Sequence, residues 1–314
     1  MAQVVEKFGL ASTRLPSRAI WTSAKACRSQ PPACASVHQN CASLQAAAGI
    51  ALFLFIGQFI GQNHAMKINQ NTILITGGGS GIGMALAKAF VAAGNEVIIC
   101  GRNLAKLEAA CQAVPALQML QCDISDEASI RRMLDEHSAL MERVTVLVNN
   151  AAIMNVMKIH EPQARLADME AEINTNLTGT LRMSKLMLPG LMRQPEAALV
   201  IISSGVAYLP VTSTPVYCAT KAALHSLAQS MRYQLRNTSV KVFEILPPVV
   251  ATDMPAQLEG TGKDMKGMSP DEFAARALRG IERDQYELPV GDARLLYWAS
   301  RFVPSLVTRR LQAM

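Results

Sequence analysis

The chain has 314 residues, half of them apolar and 17% charged, enough to bury a sizeable core and too apolar to be disordered throughout. Of its net charge of +6, +4 sits in residues 1–65, where Lys7, Arg14, Arg18, Lys25 and Arg28 face the single acid Glu6. The near-neutral remainder excludes a nucleic-acid-binding body, and seven scattered cysteines with no H-x-x-x-H pair argue against a disulfide framework or a metal site.

Up to Asn40 the chain is rich in Ser, Ala and Arg, as a transit-type peptide would be. Residues 44–61 then form a charge-free apolar stretch of 18 residues, at the lower edge of what spans a bilayer. Three readings stay open for residues 1–65: an upstream extension of a protein that starts internally, a membrane anchor, or a targeting leader. The extension is favoured, because Met66 opens a compact strand start, and fold reasoning begins there. On that reading the protein is cytoplasmic, with membrane association through 44–61 or organelle targeting as alternatives. Cys100, Cys111, Cys122 and Cys218 then read as small core residues of a reducing compartment.

From Met66 onward, short apolar runs alternate with helical patterns. Strands are expected at 72–76, 96–100, 117–122, 144–149, 198–203 and 240–246, and amphipathic helices at 81–93 and 125–140, among others. Continuous Ile/Val/Leu runs without polar alternation mark strands buried on both faces. Repeated strand–helix–strand units close right-handedly, so the expected fold is α/β, a single doubly wound parallel sheet with helices on both faces.

The first strand runs through Thr76-Gly77-Gly78-Gly79-Ser80-Gly81-Ile82-Gly83 straight into a helix. Such a turn lets backbone N–H groups approach a pyrophosphate at the helix N-terminus. No Gly-Lys-Ser/Thr follows, so a Walker-type loop is excluded, while a methyl-donor cofactor stays open on this motif alone. The second strand ends in Cys100-Gly101-Arg102-Asn103, without the acid that holds a ribose 2′-OH in NAD binders. The Arg102 guanidinium suits a 2′-phosphate instead, which favours NADP.

Tyr217 and Lys221 lie four residues apart, near the start of a helical stretch that Pro215 opens as its first residue. An ammonium beside a phenol lowers the phenol's pKa, which suits Tyr217 to exchange a proton near neutral pH. The Ser-rich strand end Ile201-Ile202-Ser203-Ser204 precedes it. His225, one turn beyond Lys221, reads as packing.

Together these motifs resemble the short-chain dehydrogenase/reductase family, over Met66 to about Gly291. The family's T-G-x-x-x-G-x-G falls on residues 76–83, with Gly77, Ser80, Gly81, Ile82 and Gly83 as cofactor contacts. Its N-N-A-G appears as Asn149-Asn150-Ala151-Ala152. The resemblance implies a Rossmann fold in which Ser204 binds the substrate oxygen, Tyr217 exchanges its proton, Lys221 tunes the phenol and grips the nicotinamide ribose, and Asn176 holds a relay water. It further implies cofactor contacts from Asp123, Ile124, Asn150, Ala151 and Thr252, a small carbonyl or alcohol substrate, and a dimer or tetramer. Two departures stand out: Ala152 replaces the last Gly of N-N-A-G, and Pro248 replaces the Gly of the family's Pro-Gly after the sixth strand. The expectation is an NADP-dependent oxidoreductase, with a cofactor-binding sensor on the same fold as the alternative. Residues 253–273, with Met254, Met265 and Met268, read as a cover over the site.

Overall fold

The structure, a computed structural model, describes residues 65–256 and 267–302. The expectations for residues 1–64, the 44–61 stretch included, and for residues 257–266 of the expected cover, Met265 among them, lie outside the described residues. Among the described residues no helix is long and apolar enough to cross a membrane.

Seven parallel strands form one sheet in the order β3-β2-β1-β4-β5-β6-β7. They are β1 (Thr72–Thr76), β2 (Glu96–Gly101), β3 (Leu117–Gln121), β4 (Val146–Asn149), β5 (Ala197–Ile202), β6 (Val240–Leu246) and β7 (Glu287–Pro289). Successive strand residues point to opposite faces, so each unbroken apolar run feeds two cores at once. Ile73, Ile75, Val97, Ile99, Val146, Val148, Phe243 and Ile245 pack into one core, and Leu74, Ile98, Leu147, Leu199 and Val242 into the other.

The first core is closed by α1 (Gly81–Ala92) through Leu86 and Phe90, and by α9 (Pro270–Glu282) through Phe273 and Ile281. The second is closed by α3 (Glu127–Glu136) through Ile130 and Met133, and by α6 (Thr180–Leu191) through Met183, Met187 and Leu191. Phe243 and Phe273 are fully buried; truncating such a side chain to Ala costs about 3–5 kcal/mol. Met66 is buried as well, and its N–H donates to Asp284.

The remaining helices are α2 (Leu104–Ala113), α4 (Ser138–Met141), α5 (Leu166–Glu172), α7 (Pro215–Gln234), α8 (Asp253–Ala256) and α10 (Ala293–Phe302). The single helix expected over 125–140 is split into α3 and α4. His137, at φ −119° and ψ 30°, leaves the helical region between them. Between α5 and α6 the chain widens into a π-helical turn, Ile173–Gly179. The strand order reverses between β1 and β4, which opens a crevice beyond the carboxyl ends of the strands.

Candidate active site

That crevice is a cleft of about 570 Å³ walled by the turn after β1, the end of β2, residues 150–155 and the start of α7. Thr76 holds two of these walls together: its Oγ1 accepts from the Asn150 and Ala151 N–H groups at 3.0 and 3.1 Å. Asn150 returns the contact, donating from Nδ2 to the Thr76 and Gly77 carbonyls at 3.0 and 3.2 Å. Two glycines are sterically required here. Gly77 sits at φ +66°, and a Cβ on Gly83 would lie 2.2 Å from the Gly77 carbonyl oxygen. Polar backbone, small residues and the mouth of α1 therefore form a cradle with room and N–H groups for a phosphate-bearing ligand.

Of the expected cofactor residues, Gly77, Ser80, Gly81, Ile82, Gly83, Arg102, Asp123, Ile124, Asn150, Ala151, Tyr217, Lys221 and Thr252 all line this cleft, as does Ala152. Asp123 turns its carboxylate onto its own loop, accepting from the Ser125 N–H and hydroxyl at 2.9 and 2.7 Å. Arg102 is joined by Lys106, which the sequence reading did not single out. Asn103 caps α2 by accepting from the Lys106 N–H at 3.0 Å, so the helix start brings both cations to one corner of the cleft. No carboxylate ends β2 there. Met254 of the expected cover also lines the cleft, and Met268 pairs its backbone with Val249 and Ala251 at 2.9 Å.

Ser204 and Asn176 are the two expected site residues that do not line the cleft wall. Ser204 lies two residues beyond β5 in an extended conformation; its hydroxyl accepts from the Val206 N–H at 3.3 Å and sits where it pulls the Tyr217 pKa down. Asn176 is fully buried inside the π-helical turn. Its Oδ1 accepts from the Ile153 N–H at 2.8 Å, and its Nδ2 donates to the Ile153 carbonyl at 2.8 Å and to Thr220 Oγ1 at 3.2 Å. Both ends of the amide are therefore committed to the floor of the site, and the widened turn is what gives it that aim.

Pro215 opens α7, which carries Tyr217 and Lys221 on its first two turns. The Lys221 ammonium donates to the Ile202 carbonyl at 2.9 Å and lies 5.4 Å from the Tyr217 ring centre. Burial brings Lys221 down to about 8, against an upward pull from Glu244. The expected lowering of the phenol by Lys221 is not what the site holds. Burial pushes Tyr217 above its ordinary value, with Cys218 and Glu172 adding to it and the Ser204 hydrogen bond opposing.

His225 is not simple packing either. Its Nδ1 pairs with Glu244 Oε2 at 2.7 Å, its Nε2 lies 3.0 Å from the Gln229 amide, and the Glu244 bond raises its pKa. Glu244 is fully buried within β6, where the hydropathy pattern reads an ordinary strand. Glu172 was missed for a similar reason. It is fully buried, its Oε1 accepts from the Asn155 N–H at 2.6 Å, and its Oε2 has no partner. For Glu244 the available signal was a charged residue inside an apolar strand run. Cys100, Cys122 and Cys218 are buried free thiols and Cys111 a partly buried one, as expected of core residues; burial pushes Cys122 up to about 11.

Comparison with known proteins agrees with this geometry. The family described as short chain dehydrogenase matches residues 71–262. The uncharacterized oxidoreductase DltE of Bacillus subtilis (strain 168) is 41% identical over 224 residues, covering 71% of this chain and 89% of the relative. A short-chain dehydrogenase of Burkholderia cenocepacia solved with NADP superposes with a TM-score of 0.68 at 23% identity, covering 78% of this chain and 99% of that one. A short-chain dehydrogenase/reductase of Burkholderia phymatum solved with NAD gives 0.70 at 19% identity, covering 78% and 96%.

Proposed function

The chain belongs to the short-chain dehydrogenase/reductase family, whose members are nicotinamide-dependent oxidoreductases, and from that premise we propose an NADP-dependent enzyme that interconverts a carbonyl and an alcohol, with Tyr217 as general acid and base. The grouping of Ser204, Tyr217 and Lys221 beside a glycine-floored cleft carries this reading.

The cradle fits the cofactor: Gly77 and Gly83 leave room at the turn, α1 offers its N-terminus, and Arg102 with Lys106 supplies two cations where a 2′-phosphate would lie. When bound, NADP supplies the hydride, and the protein supplies placement and electrostatics. Ser204 donates a hydrogen bond that orients the substrate oxygen beside Tyr217. The Tyr217 phenol gives its proton to that oxygen in reduction and takes one in oxidation. The raised phenol pKa keeps that proton in place at neutral pH, which favours the acid role. Lys221, released from the Ile202 carbonyl, is the group within reach to stabilise phenolate once the proton has left. Asn176 fixes Ile153 and, through Thr220, the first turns of α7, so the floor and the catalytic helix keep one geometry.

The test is a fluorescence titration with NADPH and NADH, followed by a carbonyl panel under reduction. Tight NADPH binding with weaker NADH, and turnover of at least one carbonyl, is expected. Cofactor binding without turnover across the panel would favour the sensor instead.

A further inference from the structure

Glu244 is buried to zero exposure in the middle of β6, among Val, Phe, Ile and Leu. A carboxylate in that position is strongly disfavoured unless both oxygens are paired. Both are. Oε1 accepts from the Ser203 hydroxyl, and Oε2 pairs with His225 Nδ1 at 2.7 Å. Ser203 precedes Ser204, and His225 stands one turn beyond Lys221 on α7. The last residue of β5 and the one after it are thus held to the catalytic helix and to β6, Ile202 by Lys221 and Ser203 by Glu244, and Ser204 follows them beside Tyr217.

The turn that follows is tied down on its far side. Tyr208 donates to Glu287 Oε1 of β7 at 2.6 Å, and its ring packs edge-on against His225 at 5.2 Å and against Tyr297 of α10 at 5.3 Å. Arg301 of α10 lies over Tyr297 at 3.8 Å. The groups that face the His225–Glu244 pair are therefore Lys221 from α7, Tyr208 from the turn, Glu287 from β7 and Arg301 from α10.

We propose that Glu244 and His225 are positioning residues of the active site: the pair locks the Ser204 strand end to the helix of Tyr217 and Lys221, and Glu244 supplies the buried counter-charge of Lys221. Burial draws Lys221 down and Glu244 is the carboxylate that opposes the fall, which leaves the ammonium at about 8. His225 does the complementary work, since its raised pKa keeps a second proton donor on Glu244. This deepens the reading of the site given above and rests on it for the turnover measurement.

The experiment uses the full chain with Glu244→Gln, Glu244→Asp and His225→Gln. The first readout needs no activity: the His225 ring is followed by NMR through a pH titration, its signal identified by its loss in His225→Gln. Wild type is expected to titrate above 6.5, the ordinary value from which the Glu244 bond raises it, and Glu244→Gln to titrate lower. An unmoved His225 midpoint in Glu244→Gln overturns the pair whether or not the protein turns over any carbonyl.

The second readout is the pH profile of NADPH-dependent reduction. Glu244→Gln is expected to lower kcat about tenfold and to move the alkaline limb down by about one pH unit, as loss of a nearby opposite charge requires. Glu244→Asp keeps the charge and should keep the limb. His225→Gln should lower kcat by about threefold with the limb unmoved, since the carboxylate remains. An alkaline limb common to wild type and Glu244→Gln overturns the counter-charge. Should Glu244→Gln not fold, Ser203→Ala and His225→Gln decide the matter: each is expected to lower kcat severalfold, and wild-type kcat in both overturns the proposal.

Discussion

The turn between β1 and α1 and the junction of β5, β6 and α7 lie on either side of one cleft and are built on opposite principles. The first works by what is missing. Gly77 and Gly83 leave space, Thr76 and Asn150 bond only to backbone, and β1 buries no charged side chain. The second works by what is added, with Lys221, Glu244 and Ser203 at 2%, 0% and 1% exposure. Recognition of a large cofactor spreads over many backbone groups and needs access. The ionisable groups are concentrated on the second side, and burial shifts them in opposite directions, Lys221 down and Tyr217 up.

The largest effect expected from either region comes from Tyr217→Phe, which removes the proton donor and keeps the ring. It should lower kcat by about 10²–10⁴, the range of general acid catalysis, with a far smaller effect on the NADPH dissociation constant. A parallel loss of cofactor binding would show that the two regions are not separable. Gly83→Ala attacks the other side. Its Cβ would press on a backbone oxygen that cannot swing away, and overpacking of about 1–3 kcal/mol should weaken NADPH binding about tenfold or more. Wild-type affinity would mean that the turn opens freely.

Arg102→Asp sharpens the comparison within the cofactor region. It should weaken NADPH about tenfold and leave NADH nearly untouched, because a 2′-phosphate loses a cation and meets a like charge. Equal effects on both cofactors would remove the basis for NADP. Lys106→Ala should act in the same direction, more weakly.

The smallest effect concerns Glu172. Burial raises its pKa above 4.5, and the Asn155 N–H opposes the rise. A carboxyl raised in the folded state binds more protons there than in the unfolded chain, so its contribution to stability is full below 4.5 and fades as pH climbs through the raised value. Glu172→Gln keeps an oxygen for Asn155 and removes the titration. Relative to wild type, its melting temperature should therefore improve across that window; parallel melting curves at every pH would sink this account.

Much of the frame was legible in the sequence because single residue types carried it. Strands β1 and β6 fall on the expected residues, and α7 begins at Pro215, where an N–H is dispensable. The site's glycines, Tyr217 and Lys221 announced themselves by spacing. What stayed hidden depends on partners distant in sequence. Strand β7 has three half-buried residues, one a proline, and exists through pairing with β6. Glu244 reads as an ordinary blemish in an apolar run until Ser203 and His225, 41 and 19 residues away, are brought beside it. The split at His137 and the π-helical turn at 173–179 change hydrogen-bond register without changing hydropathy, so periodicity has nothing to register.

The π-helical turn also separates two kinds of damage along one continuous helical stretch. A π turn holds one residue more than an α turn. Removing a residue from within 173–179 would let the chain close into regular helix while Met183, Met187 and Leu191 kept their facing toward the core. The same deletion inside α6 would swing each later side chain by about 100° and expose that face. Residues 166–191 therefore contain one short interval where the chain can lose length and still fold, and it is the interval that aims Asn176 at Ile153. A shortened variant of this kind would be a folded protein with a slack floor, its damage read in the site and not in its melting.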